Sequence, residues 1–302
     1  MHSGSAMPAY VDLKTRAVLS VSGPDARKFL QGLVSNDVEK VAPERAIHAA
    51  FLTAQGKYLF DFFIAEVAGA LLLDCEAERL ADFQKRLRLY KLRSKVEIAD
   101  ASGRYAVLAV SGEDAADALG LTGEAGVAKE IDGGAVFVDP RHAGLGARVI
   151  VETDKRGAFL AAAGLSEGTL DSYDRVRIRL GVPDGTRDMQ IEKTVLLEAG
   201  FDELNGVDWQ KGCYMGQELT ARTKYRGLVK RRLMPVRILD GEMPSPGTPI
   251  LRDEREVGEI RSGTGDMAIA MLRLNVLEDL EHAVLSAGGV TVLPVKPDWA
   301  RF

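Results

Sequence analysis

The sequence predicts an α+β fold that ends in a separate all-β module. Three observations predict it. Up to about Gly181, strand-length apolar runs alternate with helical segments, and hairpin signals are mixed in, so a strict βαβ repeat is excluded. Beyond Gly227 only short strands separated by turn residues remain. The chain of 302 residues is 46% hydrophobic and 27% charged, which suits about two domains with sizeable cores. The expected division is residues 7–226, as two interleaved subdomains, and residues 227–302, as a small barrel or sandwich.

The elements follow in order. RAVLSVS (Arg16 to Ser22) alternates as a strand, and SGPDARKFLQGLV reads as turn and helix. In that helix Pro24 takes the first position, and Phe29, Leu30 and Leu33 share one face. Ala46 to Thr53 and Tyr58 to Glu66 flank AQGK, a hairpin with Gly56 in its turn, and Leu71 to Asp74 adds a strand. From Ala77 to Lys91, Leu80, Phe83, Leu87 and Tyr90 keep helical spacing opposite Asp82, Lys85, Arg86 and Arg88. KVEIAD, RYAVLAVSG and GARVIVET are strands, Glu113 to Leu119 a short helix, and YDRVRIRLG a basic helix. Val182 to Asn205, punctuated by Pro183, Gly185 and Gly200, is a long irregular loop of the kind that carries function. RLMPVRIL, EVGEIRSG, MAIAMLRL and VTVLPV are the strands of the last module.

Bulk properties exclude several classes. The formal net charge of −5 argues against a dedicated nucleic-acid binder, and no run approaches the roughly 18 apolar residues of a membrane span. Two cysteines build no disulfide framework, and with four histidines they make no zinc or iron–sulfur spacing, so no metal held by this chain alone is expected. The start MHSGSAMPAY shows no signal peptide, and Met1 to Ala6 read as an expression scar. A reducing cytoplasm is the expected setting.

The densest chemistry lies in LNGVDWQKGCYMGQELTARTKYRG (Leu204 to Gly227). QELTARTKY reads as a helix, so Cys213 stands just before a helix N-terminus with Lys211 close by. Both positive influences favour a thiolate. From residue types alone the other reading is a small apolar residue at a tight turn, with glycines serving only the backbone. No histidine is near in sequence, although His48 or His142 could approach in the fold.

This string closely resembles the signature of the YgfZ family, folate-binding proteins related to the aminomethyltransferase (T-protein) of glycine cleavage. VSGPDARKFLQGLVSNDV, GKYLFDFFI, LYKLRSKVEI and RVRIRLGVP resemble the family in the same order, and the similarity spans nearly the whole chain after Met7. The resemblance implies an aminomethyltransferase-like folate-binding fold, ring-like and in three parts, with the all-β module as its C-terminal barrel. It implies a tetrahydrofolate-binding accessory factor for iron–sulfur cluster assembly or repair, serving client enzymes that include a tRNA-modifying one. The thiol of the motif carries that function, which here is Cys213, with Lys211 and Gln217 beside it.

The resemblance also raises an alternative, a folate-dependent aminomethyltransferase or methylamine demethylase of the T-protein type. Two departures weigh against it. The transferases carry two adjacent acids where this chain has Phe60-Asp61, and a pterin-gripping glutamate would fall near Arg179. A guanidinium cannot accept the N–H donors of a pterin. A folate pocket wants a carboxylate, for which Asp61, Glu198 and Glu192 are candidates, and aromatic walls, for which Tyr173, Trp209 and Tyr214 are candidates. Two basic clusters, KRLRLYKLRSK and RTKYRGLVKRR, read either as solvated faces or as anion-binding surfaces.

Overall fold

A computed structural model describes residues 8–112, 114–279 and 284–302; Met1 to Ala6, set aside above, and Glu113, at the start of an expected short helix, lie outside the described residues. The chain divides into two compact units, each assembled from separated segments. The first contains residues up to Leu52, Phe60–Tyr173 and Asn205–Met215; the second contains Thr53–Leu59, Asp174–Leu204 and Gly216–Phe302.

Eleven strands, β1 (Ala9–Asp12), β2 (Arg16–Ser22), β3 (Ile47–Leu52), β4 (Tyr58–Val67), β5 (Ala70–Glu76), β6 (Glu97–Asp100), β7 (Tyr105–Ser111), β8 (Ala128–Ile131), β9 (Gly134–Val138), β10 (Ala147–Glu152) and β11 (Ser166–Glu167), form two sheets. Their orders are β3-β4-β5-β2-β6 and β11-β1-β7-β10-β9-β8. Antiparallel pairs dominate, and β1 with β11 is parallel. The two sheets share one core, because alternate residues of a strand face opposite ways. On β7, Val107 and Ala109 join Phe63, Leu72 and Ile150 in that inner core. Leu108 and Val110 point outward, onto Phe159 and Leu160 of the helix Arg156–Ala163.

The strand β4 reads YLFDFFIAEV and is buried on both faces over nearly its whole length, as expected of a run that is apolar but for Asp61 and Glu66. Its outer face meets α2 (Leu80–Lys91), where Phe83 stacks on Phe60 at 4.7 Å and on Phe62 at 4.8 Å between ring centroids. The periodicity expected of α2 holds for Leu80, Phe83 and Leu87, but Tyr90, edge-on to Phe51 of β3 at 5.9 Å, is 43% exposed. Before it, α1 (Ala26–Gln31) is shorter than the sequence predicts, and Pro24 lies in the preceding turn.

The second unit is built on a closed antiparallel barrel of β12 (Arg231–Ile238), β13 (Pro249–Arg252), β14 (Arg255–Thr264), β15 (Met267–Arg273), β16 (Leu285–Ala287) and β17 (Val290–Pro294). Its order, β12-β15-β14-β13-β16-β17, closes through β12 and β17, which leaves no free sheet edge. Met234, Val236, Ile250, Ile260 and Leu272 fill it. The irregular stretch 182–205 is pinned from inside by Arg177, which donates to Asp188 at 2.8 Å and to Ser262 of β14 at 2.8 Å. Gly216, at φ +79°, opens the helix Gln217–Tyr225. A Cβ on Gly56 would lie 2.6 Å from the Gly216 carbonyl oxygen and 2.7 Å from Leu219 Cβ, so the hairpin turn and the start of this helix interlock through a bare backbone. Among the described residues no helix is long and apolar enough to cross a membrane.

Candidate functional site

Within the first unit, residues Asn205–Met215 form a strap laid over the C-terminal end of α1 and the turn that follows it. No hydrophobic period organises this segment, so polar contacts place it. Asn205 takes φ +56°, which asparagine tolerates, and its amide donates to the Pro140 carbonyl at 3.0 Å. Ser35 donates its hydroxyl to the Gly206 carbonyl at 2.6 Å and accepts from the Ala50 amide at 2.8 Å. The Asn36 amide spans the carbonyls of His48 and Asn205, each at 2.8 Å. Both side chains are buried and bonded, as buried polar groups must be.

Lys211 is the main anchor. Its ammonium donates to three carbonyl oxygens, Gln31 at 2.9 Å, Val34 at 2.6 Å and Asn36 at 2.7 Å, and lies 5.1 Å from the Tyr214 ring centroid. The Gln31 carbonyl closes α1, where a cation is favoured, and those of Val34 and Asn36 belong to the turn that follows. Burial lowers the Lys211 pKa to about 8, with Asp37 and Asp208 pulling the other way. Asp208 folds the strap by accepting from the Gln210 and Lys211 amides at 2.7 and 3.1 Å while pairing with Lys40. Burial opposes ionisation of Asp208, but Lys40 and these amides outweigh it and hold its pKa low.

Between Lys211 and the buried Tyr214, the thiol of Cys213 is exposed. The reading as a buried turn residue is therefore replaced by that of an accessible thiol on a fixed support. Lys211 turns its charge inward to carbonyls. The Gly212 position is open, since a Cβ there meets nothing within 4 Å. Cys75 is the opposite case: it is buried in β5, and burial pushes its thiol up to about 12.

A cleft of about 350 Å³ opens beside the strap. Trp209 supplies an indole wall, Asn36 and Asn205 carboxamides, Lys40 and Arg45 cations, and Asp208 a carboxylate. In residue type these fit a pterin with an anionic tail. Of the folate residues expected from the sequence, Trp209 lines the cleft. Ser35, Asn36, Lys40 and Arg45 were not singled out; the signal was a polar Ser-Asn-Asp between an apolar helix end and a buried strand.

The other expected residues stand elsewhere. Asp61 is buried in β4, 3.2 Å from His48 Nε2. Burial lowers the His48 pKa; Asp61 opposes this. His142 accepts from the Gly144 amide at 3.0 Å. Tyr173 lies inside a buried charge network, its hydroxyl 3.1 Å from both Arg141 and Arg148. In that network Arg148 joins Asp74 at 2.6 Å to Asp139 at 3.2 Å, and its guanidinium carbon sits 3.9 Å from the Phe63 ring centroid. Burial raises the Asp139 pKa, but Arg141 and Arg148 outweigh it and hold it far below the usual carboxylate range. Tyr214 is under the Lys211 anchor, and Gln217 opens the helix of the second unit. Glu198 also belongs to the second unit, where it pairs with Arg231 at 3.1 Å; Glu192 and Arg179 are exposed. Phe60 is a core residue, packed on Phe83 and covered by Arg79 at 4.0 Å. Among the described residues no group of three or more His, Cys, Asp or Glu converges to hold a metal ion.

Comparison with known proteins agrees with this architecture. Residues 7–130 match the GCVT N-terminal domain, and residues 230–302 match the CAF17 C-terminal beta-barrel domain. The aminomethyltransferase T of the glycine cleavage system from Bartonella henselae superposes with a TM-score of 0.81 over 98% of this chain and 87% of its own, at 15% identity, which shows a shared fold. The human mitochondrial iron–sulfur cluster assembly factor IBA57 is 36% identical over 95% of this chain and 84% of its own length. The mouse protein is 34% identical over the same shares, and a mitochondrial homologue from Dictyostelium discoideum is 31% identical over 75% of this chain and 62% of its own. The expected cytoplasmic setting is overturned by these relatives, whose names place them in mitochondria; composition and cysteine count report a reducing environment and cannot tell one such compartment from another. The chain belongs to the family of the iron–sulfur cluster assembly factor IBA57.

Proposed function

We propose that this protein is a tetrahydrofolate-binding factor for iron–sulfur cluster assembly or repair, and that Cys213 is its working thiol. The observation that carries the reading is the exposure of Cys213 on a strap held from both sides, by Lys211 and by Tyr214. An exposed thiol serves as a ligand to iron while a cluster is built or mended on a client. The names of the relatives support the assembly role. Tetrahydrofolate is assigned to the cleft beside the strap, with Trp209 against the pterin, the Asn205 carboxamide on its edge, and Lys40 and Arg45 toward the glutamate tail. The clients include tRNA-modifying enzymes of the cluster-dependent kind.

Aminomethyl transfer is disfavoured by the environment of Phe60. Its ring is sealed between Phe83 and Arg79, so no acid stands ready at that position. The deciding experiment pairs two readouts in a host that lacks its own factor. Wild type restores client-enzyme activity, Cys213→Ala folds and melts as wild type yet fails to restore it, and tetrahydrofolate quenches Trp209 fluorescence in both. Full restoration by Cys213→Ala sinks the thiol assignment, and quenching unchanged in Trp209→Phe sinks the cleft assignment.

A further inference from the structure

The basic cluster KRLRLYKLRSK is not used by the thiol strap or the cleft beside it. In the first unit it forms one wall of a second groove, of about 740 Å³, between the end of α2 and α1. Phe29, Leu33, Tyr90 and Leu92 line this groove. It is apolar where a solvated helix face would be polar: Leu92, in its lining, is 89% exposed at φ +42°, a region that disfavours leucine, and Leu89, next to Tyr90 on α2, is 67% exposed. Lys28 and Arg93 line the groove with these apolar groups, and among the described residues neither has an ion-pair partner. The one carboxylate in the lining, Asp25, accepts from the Lys95 amide at 2.7 Å. The groove is thus positive on a chain of net charge −5.

We propose that this groove docks an acidic amphipathic segment of an iron–sulfur client or assembly protein, with leucine-sized anchors entering between Tyr90 and Leu92 and carboxylates facing Lys28 and Arg93. Charge complementarity selects an acidic partner, and the exposed leucines select a protein segment over a purely ionic ligand. The location supports it as well. Gly32 of the groove accepts the Met215 amide at 3.2 Å, two residues beyond Cys213, and Lys211 is bonded to the neighbouring Gln31. A segment seated here lies beside the thiol strap. The assignment of partner class rests on the proposed function; the groove's preference for acidic segments does not.

The test uses the full chain and a fluorescein-labelled synthetic helix bearing leucines on one face and glutamates on the other, with a lysine-for-glutamate control. Fluorescence anisotropy should show the acidic helix binding about tenfold or more tighter than the basic one, with affinity falling as salt rises. Leu89→Ser/Leu92→Ser and Lys28→Glu/Arg93→Glu, with melting curves like wild type, should each weaken it about tenfold or more. Cys213→Ala should bind as wild type, so failure of the thiol assignment leaves this readout standing. In the client assay Leu89→Ser/Leu92→Ser should lower restoration while Cys213 still takes up a maleimide as an exposed thiol. Equal affinity for the two helices, or unchanged binding by the leucine pair, overturns the proposal. So does a preference for anionic vesicles or duplex RNA over the acidic helix, or a dimer in solution that the leucine pair abolishes.

Discussion

The ammonium of Lys211 lies 2.6 Å from the carbonyl oxygen of Val34, and residues 177 positions apart in sequence are thereby held together. Replacing Lys211 by Met keeps the stem and removes three donors from three part-buried carbonyls. Hydrogen bonds from charged groups contribute about 1.5–3 kcal/mol each at most, and water will satisfy some of the carbonyls, so a loss of about 2 kcal/mol is expected. Chemical denaturation measures it. Amide exchange should quicken at Asp208 and Met215 more than in the sheets, whereas a uniform change would argue against a local anchor.

The two thiols should separate cleanly. Cys213 is exposed and Cys75 is buried with its thiol pushed up to about 12. A maleimide or aromatic disulfide should modify one thiol in the native protein and two after denaturation. Peptide mapping should place the native adduct on Cys213; modification of Cys75 before unfolding would contradict the packing of β5.

His48 should make the fold sensitive to acid. Burial lowers its pKa below 6.5, against the pull of Asp61, so the unfolded chain takes up a proton before the folded one does. This contribution to stability is complete above 6.5 and is lost as pH falls through the lowered folded value. The nearby Asp139, also held low, adds its own loss only below the ordinary carboxylate value of 3.8. Melting temperatures of wild type and His48→Gln across this range test it. The wild type should lose stability more steeply between pH 6.5 and the carboxylate range, and parallel curves would contradict it.

Arg148 should be hard to replace. It contacts Asp74, Asp139, the Tyr173 hydroxyl and the Phe63 ring, with its side chain almost wholly buried. Arg148→Met takes one of two guanidinium partners from each of two buried carboxylates, leaving Asp74 with Arg16 and Asp139 with Arg141, a change that costs up to about 3 kcal/mol. Arg148→Lys should not rescue it, because a point charge cannot serve acceptors on two sides and a ring face together. Urea titration of both variants checks this.

Much of the fold was legible because it rests on local period. The largely apolar β4, the hairpin about Gly56 and four of the strands after Gly227, β12, β14, β15 and β17, announce themselves within a few residues. Strands β1, β8, β9, β11, β13 and β16, of two to five residues each, carry too little period to detect. The site was legible only in part. Cys213 and Lys211 stood out, but the direction of the ammonium depends on carbonyls far away along the chain. Tyr173 looked like a free aromatic wall until Arg141 and Arg148 converged on its hydroxyl. Phe60 and Asp61 are neighbours in sequence, yet strand alternation sends one to Phe83 and the other to His48.

The strap reaches back from Lys211 to Gln31, 180 residues earlier. Contacts so distant in sequence form late, because a long loop must close before they return any free energy. During synthesis the sheets of the first unit can assemble while Ser35 and Asn36 still lack their strap partners. The thiol is therefore set in place at the end of folding, and a nascent chain has no positioned thiol until its scaffold is complete.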